Sequence, residues 1–351
     1  MNASTLLAIC NLAQRISNSA SLSSICRSIE IGSESVRVFS EYGNMQLDVD
    51  KTGITNPVLL DTGALTAVCK YLPSSSEIEF DEKPSKLNWK CGNASGTLNY
   101  VMTDDEIPKI EHDDYPWTPQ ENLGSALSLA GSACQMAAVP FGLYGIVIEP
   151  DGEKLRILSS NGTSMASTTI EKGNYPFEKI TVRPPVPEII ANFVDQCPNC
   201  KLDVSKDGIF IKGDWLTAHL PLGQTLDRDL KVIADKYSGS DKVAQIDNAA
   251  IKKFIGRAKL LSDKNVSFTV SLKIEKGQLI LSHSGISSST EEFFLASGLD
   301  ETLSYSTVAL PADLIVIPLQ FINKIVLDYM NDKFLVMRGE DPDFVYVIGG
   351  E

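Results

Sequence analysis

Helices are few in this sequence and return at a nearly constant interval, which constrains the fold more than any other feature. Amphipathic helix patterns begin near Thr5, Glu121 and Asn248, about 116 and about 127 residues apart, and each precedes a run of strand patterns. A second set follows a short apolar strand each time. Val58-Leu59-Leu60 leads into a helix over Asp61–Tyr71, Ile180-Thr181-Val182 into Val186–Phe193, and Leu314-Ile315-Val316-Ile317 into Leu319–Met330. The spacing predicts one unit, a helix and about three strands taken twice, repeated three times in 351 residues. The expected domains are 1–118, 119–246 and 247–351, with boundaries in the charged, turn-rich stretches Asp104–Asn122 and Asp227–Asp247.

The strands alternate with period two. Ser35-Val36-Arg37-Val38-Phe39, Met45-Gln46-Leu47-Asp48-Val49, Glu77-Ile78-Glu79-Phe80 and Leu87-Asn88-Trp89-Lys90-Cys91 each have one apolar and one polar face. Asp207-Gly208 and Lys276-Gly277 are hairpin turns between such runs. Alternation of this kind belongs to antiparallel sheets, so a doubly wound parallel core is not expected. The expected class is α+β, with two helices packed on antiparallel sheets in each domain. At the N-terminus, Leu6, Ile9, Cys10, Ala13 and Ile16 share one helical face. With no basic stretch ahead of them, they read as an amphipathic helix and not as a secretion signal.

No stretch of 18 apolar residues is present, so no membrane-spanning helix is expected. The seven cysteines are odd in number and mostly lie inside apolar patterns. They read as buried thiols of a reducing compartment, the cytoplasm. Cys197-Pro-Asn-Cys200 falls in a turn between a helix and a strand. A redox pair needs a helix N-terminus directly after its first cysteine, and a zinc site needs two further ligands. His112, His219 and His283 have no ligand spacing, so no metal or cofactor is expected. The acidic cluster Asp104-Asp105-Glu106 with Glu111, Asp113 and Asp114 reads as part of a solvated linker. Phosphate-binding loops, nucleophile elbows and metalloprotease helices are all missing from the sequence, so a non-enzymatic role is expected. A net charge of −14 argues against nucleic-acid binding through bulk charge; any such contact needs a local basic surface.

Four segments carry a resemblance, in collinear order. The first is Leu60-Asp61, Ala64-Leu65 and Val68-Cys69-Lys70-Tyr71-Leu72-Pro73, followed by Glu77-Ile78-Glu79. The second is Asp105-Glu106-Ile107-Pro108-Lys109-Ile110. The third joins Tyr144-Gly145-Ile146-Val147-Ile148, Gly152-Glu153-Lys154-Leu155-Arg156 and Ser160-Asn161-Gly162. The fourth is Phe254-Ile255-Gly256-Arg257-Ala258-Lys259-Leu260-Leu261-Ser262. Together, and with the threefold order of elements over essentially the whole chain, they resemble the bacterial DNA sliding clamps, the DNA polymerase III beta subunits.

The resemblance implies a DNA clamp fold and a head-to-tail homodimer, a ring of six domains whose helices line a hole around duplex DNA. It implies no catalytic residue. Such a ring tethers a DNA polymerase, is placed by a clamp loader, and touches DNA without regard to sequence. On this reading the DNA-facing residues are Arg15, Lys70, Lys252, Lys253, Arg257, Lys259 and Lys324, one on each of three helices and four on the helix from Asn248. On that helix Ile251, Phe254, Ile255, Ala258 and Leu261 form the expected buried stripe. A partner-peptide pocket, carried over by position, comprises Leu143, Ser160, Gly162, Thr163, Ser164, Met165, Val232, Tyr346 and Ile348.

The chain departs from the family at several points. Neither 121–136 nor 186–196 contains a Lys or Arg, and the second carries Glu188 and Asp195. Thr163-Ser164-Met165 stands where the family usually has His-Arg-Leu, and Gly349-Gly350-Glu351 stands in place of a Met-Pro and basic-apolar tail. The first strand ahead of Thr5 reads as shortened or missing. These departures imply a divergent member, such as one carried by a phage. The alternative compatible with the same repeats is a β-rich structural protein, for example a virion component, that does not bind DNA.

Overall fold

The computed structural model describes residues 1–111, 117–118, 121–134, 145–176, 178–182, 185–197, 199–205, 208–223, 229–237, 240, 242–262, 268–284, 289–295, 304–306, 310–329, 334–340 and 343–349. Its helices, in chain order, are α1 (Ala3–Ile16), α2 (Thr62–Lys70), α3 (Leu123–Cys134), α4 (Val186–Gln196), α5 (Leu230–Tyr237), α6 (Asn248–Leu261) and α7 (Ala312–Val316). The chain forms two compact units. The first holds 1–124, 174–177 and 185–222, and the second the remainder.

In the first unit, seven antiparallel strands form one sheet in the order 201–204, 209–212, 216–220, 43–48, 35–40, 28–31, 58–61. Ala218 opposite Met45 marks where strands distant in sequence meet. A separate three-stranded meander runs through 79–83, 86–91 and 94–99. The strand Ser35–Ser40 alternates buried and half-buried residues throughout, as its period-two sequence demands. Helix α1 starts at Asn2, whose side chain accepts a hydrogen bond from the Thr5 N–H at 2.8 Å. Asp61 caps α2 in the same way through Ala64 N–H, also at 2.8 Å. Each such cap contributes about 1 kcal/mol by satisfying a backbone donor that the helix leaves open. The face Leu6, Ile9, Cys10, Ala13 and Ile16 is buried, as the spacing requires.

In the second unit, eight antiparallel strands run in the order 180–182, 145–151, 154–160, 164–171, 345–349, 334–338, 324–326, 243–245. A five-stranded antiparallel arrangement contains 289–295, 278–284, 269–275 and 304–306, with 310–311 beside 269–270. The large sheet is buried on both faces. One face joins Ala166, Leu335, Met337, Tyr346 and Ile348 to α3, α6 and α7. The other joins Val147, Leu158, Met165, Val336, Val345 and Val347 to α5. Burying a side chain of Leu or Phe size stabilises by about 1.5–3 kcal/mol, so these two layers dominate the unit.

Two expectations need correction here. The segment read as strand Leu314–Ile317 and helix Leu319–Met330 is instead α7, a 3-10 turn over Ile317–Gln320, a strand Lys324–Val326 and a 3-10 turn over Leu327–Tyr329. A short apolar run does not distinguish buried strand from buried helix. Pro311 directly before α7 favours helix initiation, and Pro318 has no N–H to give the Leu314 carbonyl, so α-helix stops there. The stretch 227–247, read as a linker, contains α5. Its Leu230, Ala234 and Tyr237 are buried, with Ile233 packed beside them, at i, i+3, i+4 and i+7 spacing.

Candidate DNA-facing and peptide-binding surfaces

Helix α6 is positioned by Asp247, which accepts from Ala250 N–H at 3.0 Å, and by the buried stripe Ile251, Phe254, Ile255 and Ala258. Leu261, expected in that stripe, is 44% exposed, because the helix ends there and its last turn leaves the core. Lys252, Lys253, Arg257 and Lys259 all lie outside the stripe and are exposed. Their electrostatic situations differ. Arg257 pairs with Glu292, and Lys259 Nζ lies 3.5 Å from Asp313. Lys252 and Lys253 have no carboxylate partner among the described residues.

The remaining three cations divide similarly. Arg15, near the end of α1, lies 3.8 Å from Glu188 of α4. Lys70, in the last turn of α2, is exposed and has no carboxylate partner among the described residues. Lys324 was expected on a helix and instead sits in a strand, where its Nζ meets Glu340 at 2.7 Å. The Lys324 hydrogen bond holds the Glu340 carboxyl below the usual carboxylate range. Four of the seven cations are therefore matched by carboxylates of this chain. Such exposed pairs add little stability, but they cancel most of the field that a distant phosphate would feel.

The second surface is a cavity of about 340 Å³ in the second unit, lined by Ser160, Gly162, Thr163, Ser164, Met165, Val232, Ile233, Lys236, Tyr237, Phe334, Val347 and Gly349. Its rim is a fixed turn. Asn161 Oδ1 accepts from Thr163 N–H at 2.9 Å and Ser164 N–H at 2.7 Å, Ser160 Oγ accepts from Gly162 N–H at 3.1 Å, and Gly162 has a φ of 88°. That left-handed backbone favours glycine. Thr163 carbonyl also accepts from Gly349 N–H at 2.8 Å, which ties the turn to the last described strand.

Six of the nine expected pocket residues line this cavity: Ser160, Gly162, Thr163, Ser164, Met165 and Val232. Leu143 lies outside the described residues, as do His112, Asp113, Asp114 and Asp207. Tyr346 and Ile348 are not in the lining. They point into the opposite core layer, where burial pushes the Tyr346 hydroxyl up to about 12. Val347 and Gly349 take their places, because neighbours on a strand face opposite ways and a one-residue offset exchanges the faces. Ile233, Lys236 and Tyr237 were missed with α5, whose signal was the i, i+3, i+4, i+7 spacing of Leu230, Ile233, Ala234 and Tyr237.

Helix α5 is tied to the hairpin 145–160 by ions. Lys231 Nζ meets Asp151 at 2.6 Å, and Arg156 bridges Asp151, at 2.6 Å, and Asp235. The Lys231 hydrogen bond, reinforced by the Arg156 charge, keeps Asp151 below the ordinary carboxylate range against the opposing effect of burial. All seven cysteines are free and buried, and burial pushes Cys134 and Cys200 up to about 12. Among the described residues no group of three or more His, Cys, Asp and Glu could hold a metal ion, and no helix is long and apolar enough to cross a membrane.

No protein-family model matches the sequence, and no curated protein is similar to it. Solved structures are similar over the full length. The DNA polymerase III subunit beta from Pseudomonas aeruginosa superposes with a TM-score of 0.70 at 16% identity, covering 100% of this chain and 98% of that one. The putative DNA polymerase III beta subunit from Eubacterium rectale gives 0.71 at 16%, covering 99% and 97%. The beta subunit from the DNA polymerase of Streptococcus pyogenes gives 0.71 at 14%, covering 99% and 98%. From end to end, this chain has the mixed α and antiparallel-β fold of the DNA polymerase III beta sliding clamps.

Proposed function

We propose that this protein is a DNA sliding clamp: a non-enzymatic processivity factor that encircles duplex DNA and holds a polymerase to it. The observation that carries the reading is the end-to-end fold similarity, 100% of this chain against 98% of the Pseudomonas clamp, since a clamp acts through its closed shape. The exposed Lys252 and Lys253 on α6, together with Lys70, supply sequence-independent phosphate contacts. In this reading the chain comprises domains 1–118, 119–246 and 247–351, and two protomers close a head-to-tail ring. Leu260 and Leu261, 85% and 44% exposed at the end of α6, are the kind of apolar surface that a second copy would cover. The 340 Å³ cavity receives a short peptide of a partner such as the polymerase or the loader.

Primer extension on a circular template, with a polymerase and loader from the same source, tests the function. The proposal expects longer products when this protein is added. Unchanged product length in the presence of an active loader refutes it. Light scattering tests the ring: the 38.2 kDa chain is expected as a dimer, and a monomer at micromolar concentration contradicts the closed form.

A further inference from the structure

A cavity of about 620 Å³ in the first unit lies against the first three turns of α1. Its lining includes none of the candidate DNA-facing cations and no residue of the cavity beside α5. Thr5, Ala8, Ile9 and Leu12 border it at i, i+3, i+4 and i+7, so one stripe of α1 forms a wall. Leu47, Val49 and Trp215 extend the apolar surface. Ile9, Leu12 and Leu47 are buried, whereas Ala8 is exposed and Val49 and Trp215 are half-buried. Asp48 and Asp50, both exposed, complete the lining on the strand side.

Backbone hydrogen bonds hold this arrangement. Asp48 N–H donates to the Trp215 carbonyl at 2.8 Å, and Val49 N–H to the Glu34 carbonyl at 3.0 Å. Gly213 N–H donates to the Leu216 carbonyl at 2.8 Å, closing the turn that presents Trp215. The two carboxylates are not needed for that scaffold. Asp48 accepts from the Gln46 side chain at 3.2 Å, and neither carboxylate has a cationic partner among the described residues. Lys51 lines a neighbouring depression that shares Asp48 and Asp50, and not this cavity. Apart from the α-amino group of Met1, the lining carries no cation.

Charge and topology restrict the occupant. Two unmatched carboxylates beside an apolar wall repel phosphate and attract an ammonium or guanidinium. No residue of α1 ahead of Arg15 is charged, so nothing on that stretch of helix offsets them. The strand 43–48 already pairs with 35–40 and 216–220, so an occupant cannot join the sheet there and is recognised through its side chains. A half-buried Trp at such a place is the kind of side chain that anchors protein interfaces.

We propose that this cavity is a second docking site, taking a basic segment of a partner protein. An aromatic or aliphatic side chain of that segment seats against Ile9, Leu12 and Trp215, and a Lys or Arg beside it reaches Asp48 and Asp50. The inference does not rest on the peptide-pocket reading, and its test separates the two surfaces.

The test uses the full chain and fluorescence polarisation with a fluorescein-labelled, C-terminally amidated peptide Ser-Phe-Lys-Lys-Leu-Ser. Its counterparts are Ser-Phe-Gln-Gln-Leu-Ser and Ser-Ala-Lys-Lys-Ala-Ser. The wild-type protein is expected to bind the Phe-Lys peptide about three- to tenfold more tightly than the Gln peptide at low salt, the difference shrinking as salt rises. Asp48→Asn with Asp50→Asn should abolish that difference. Asp104→Asn with Asp105→Asn, an equal loss of charge elsewhere, should leave it intact. Ala8→Lys, at an exposed helix position that does not threaten folding, should weaken binding, and Val232→Asp should not. Binding of the Ala-Lys peptide as tightly as the Phe-Lys peptide would show attraction to the net charge of −14 alone and overturn the proposal. So would a Lys–Gln difference that survives Asp48→Asn with Asp50→Asn, or no saturable binding. Loss on Val232→Asp with no response to Ala8→Lys would assign the peptide to the cavity beside α5 and equally overturn it.

Discussion

Replacing Lys252 and Lys253 together by Ala should flatten the salt dependence of DNA binding far more than two of seven cations would imply. The reason lies in the pairing. Arg15, Arg257, Lys259 and Lys324 already face Glu188, Glu292, Asp313 and Glu340, and on the sliding-clamp proposal Lys70, Lys252 and Lys253, unmatched by carboxylates among the described residues, are left to displace counterions from phosphates. Three phosphate contacts per protomer give a slope of log K against log salt of about −2.7, and removing two leaves about −0.9. Between about 50 and about 200 mM salt the wild-type contact should weaken about 40-fold, and that of the double variant only about 3- to 4-fold. In a ring of two protomers both slopes double. Fluorescence anisotropy of a short labelled duplex, titrated at several salt concentrations, reads the slope directly. Glu292→Gln supplies the opposite arm: freeing Arg257 should steepen the slope by about 0.9. A slope unchanged in the double variant, or unchanged by Glu292→Gln, would show that ion pairing does not decide which cations reach DNA.

Three further outcomes are expected. Asp151 has a folded pKa below its unfolded value, so the stability it contributes is present above about pH 4 and is lost as pH falls through the lower, folded value. Peptide binding beside α5 should therefore hold from neutral pH down to about pH 4 and fail under stronger acid, whereas Asp151→Asn should weaken it at every pH; a wild-type loss near pH 6 would point to another group. Asp247→Ala removes the α6 cap and should lower stability by about 1 kcal/mol in a urea titration, with no change expected if the helix start is held by packing alone. A thiol reagent should label almost none of the seven cysteines in the native protein and all of them in denaturant; rapid native labelling of Cys197 and Cys200 would revive a redox role for that pair.

Much of the fold was legible because its signals are periodic. The strands of 35–48 and 86–91 alternate, and α1, α2, α4 and α6 carry clear apolar stripes. The elements that were misread lack such signals. Near residue 315 four apolar residues in a row fit a buried strand and a buried helix equally well, and the decision rests on two prolines. Helix α5 has only eight residues, with its charges engaged in pairs that no sequence pattern reveals. The pocket was legible where a turn fixes it, at Ser160 to Met165, and misread on the strand Val345–Gly349, where a one-residue offset exchanges core and cavity. For the cations, the sequence identifies charge, but only the structure identifies which charges are already matched.

On the sliding-clamp proposal the protein holds DNA by surrounding it. The most direct measurement is co-elution with a nicked circular plasmid after loading, followed by a single cut that makes the plasmid linear. The protein is expected to travel with the circle and to be lost from the linear molecule at the same salt. Retention unchanged by the cut, or none on the circle despite an active loader, would contradict it.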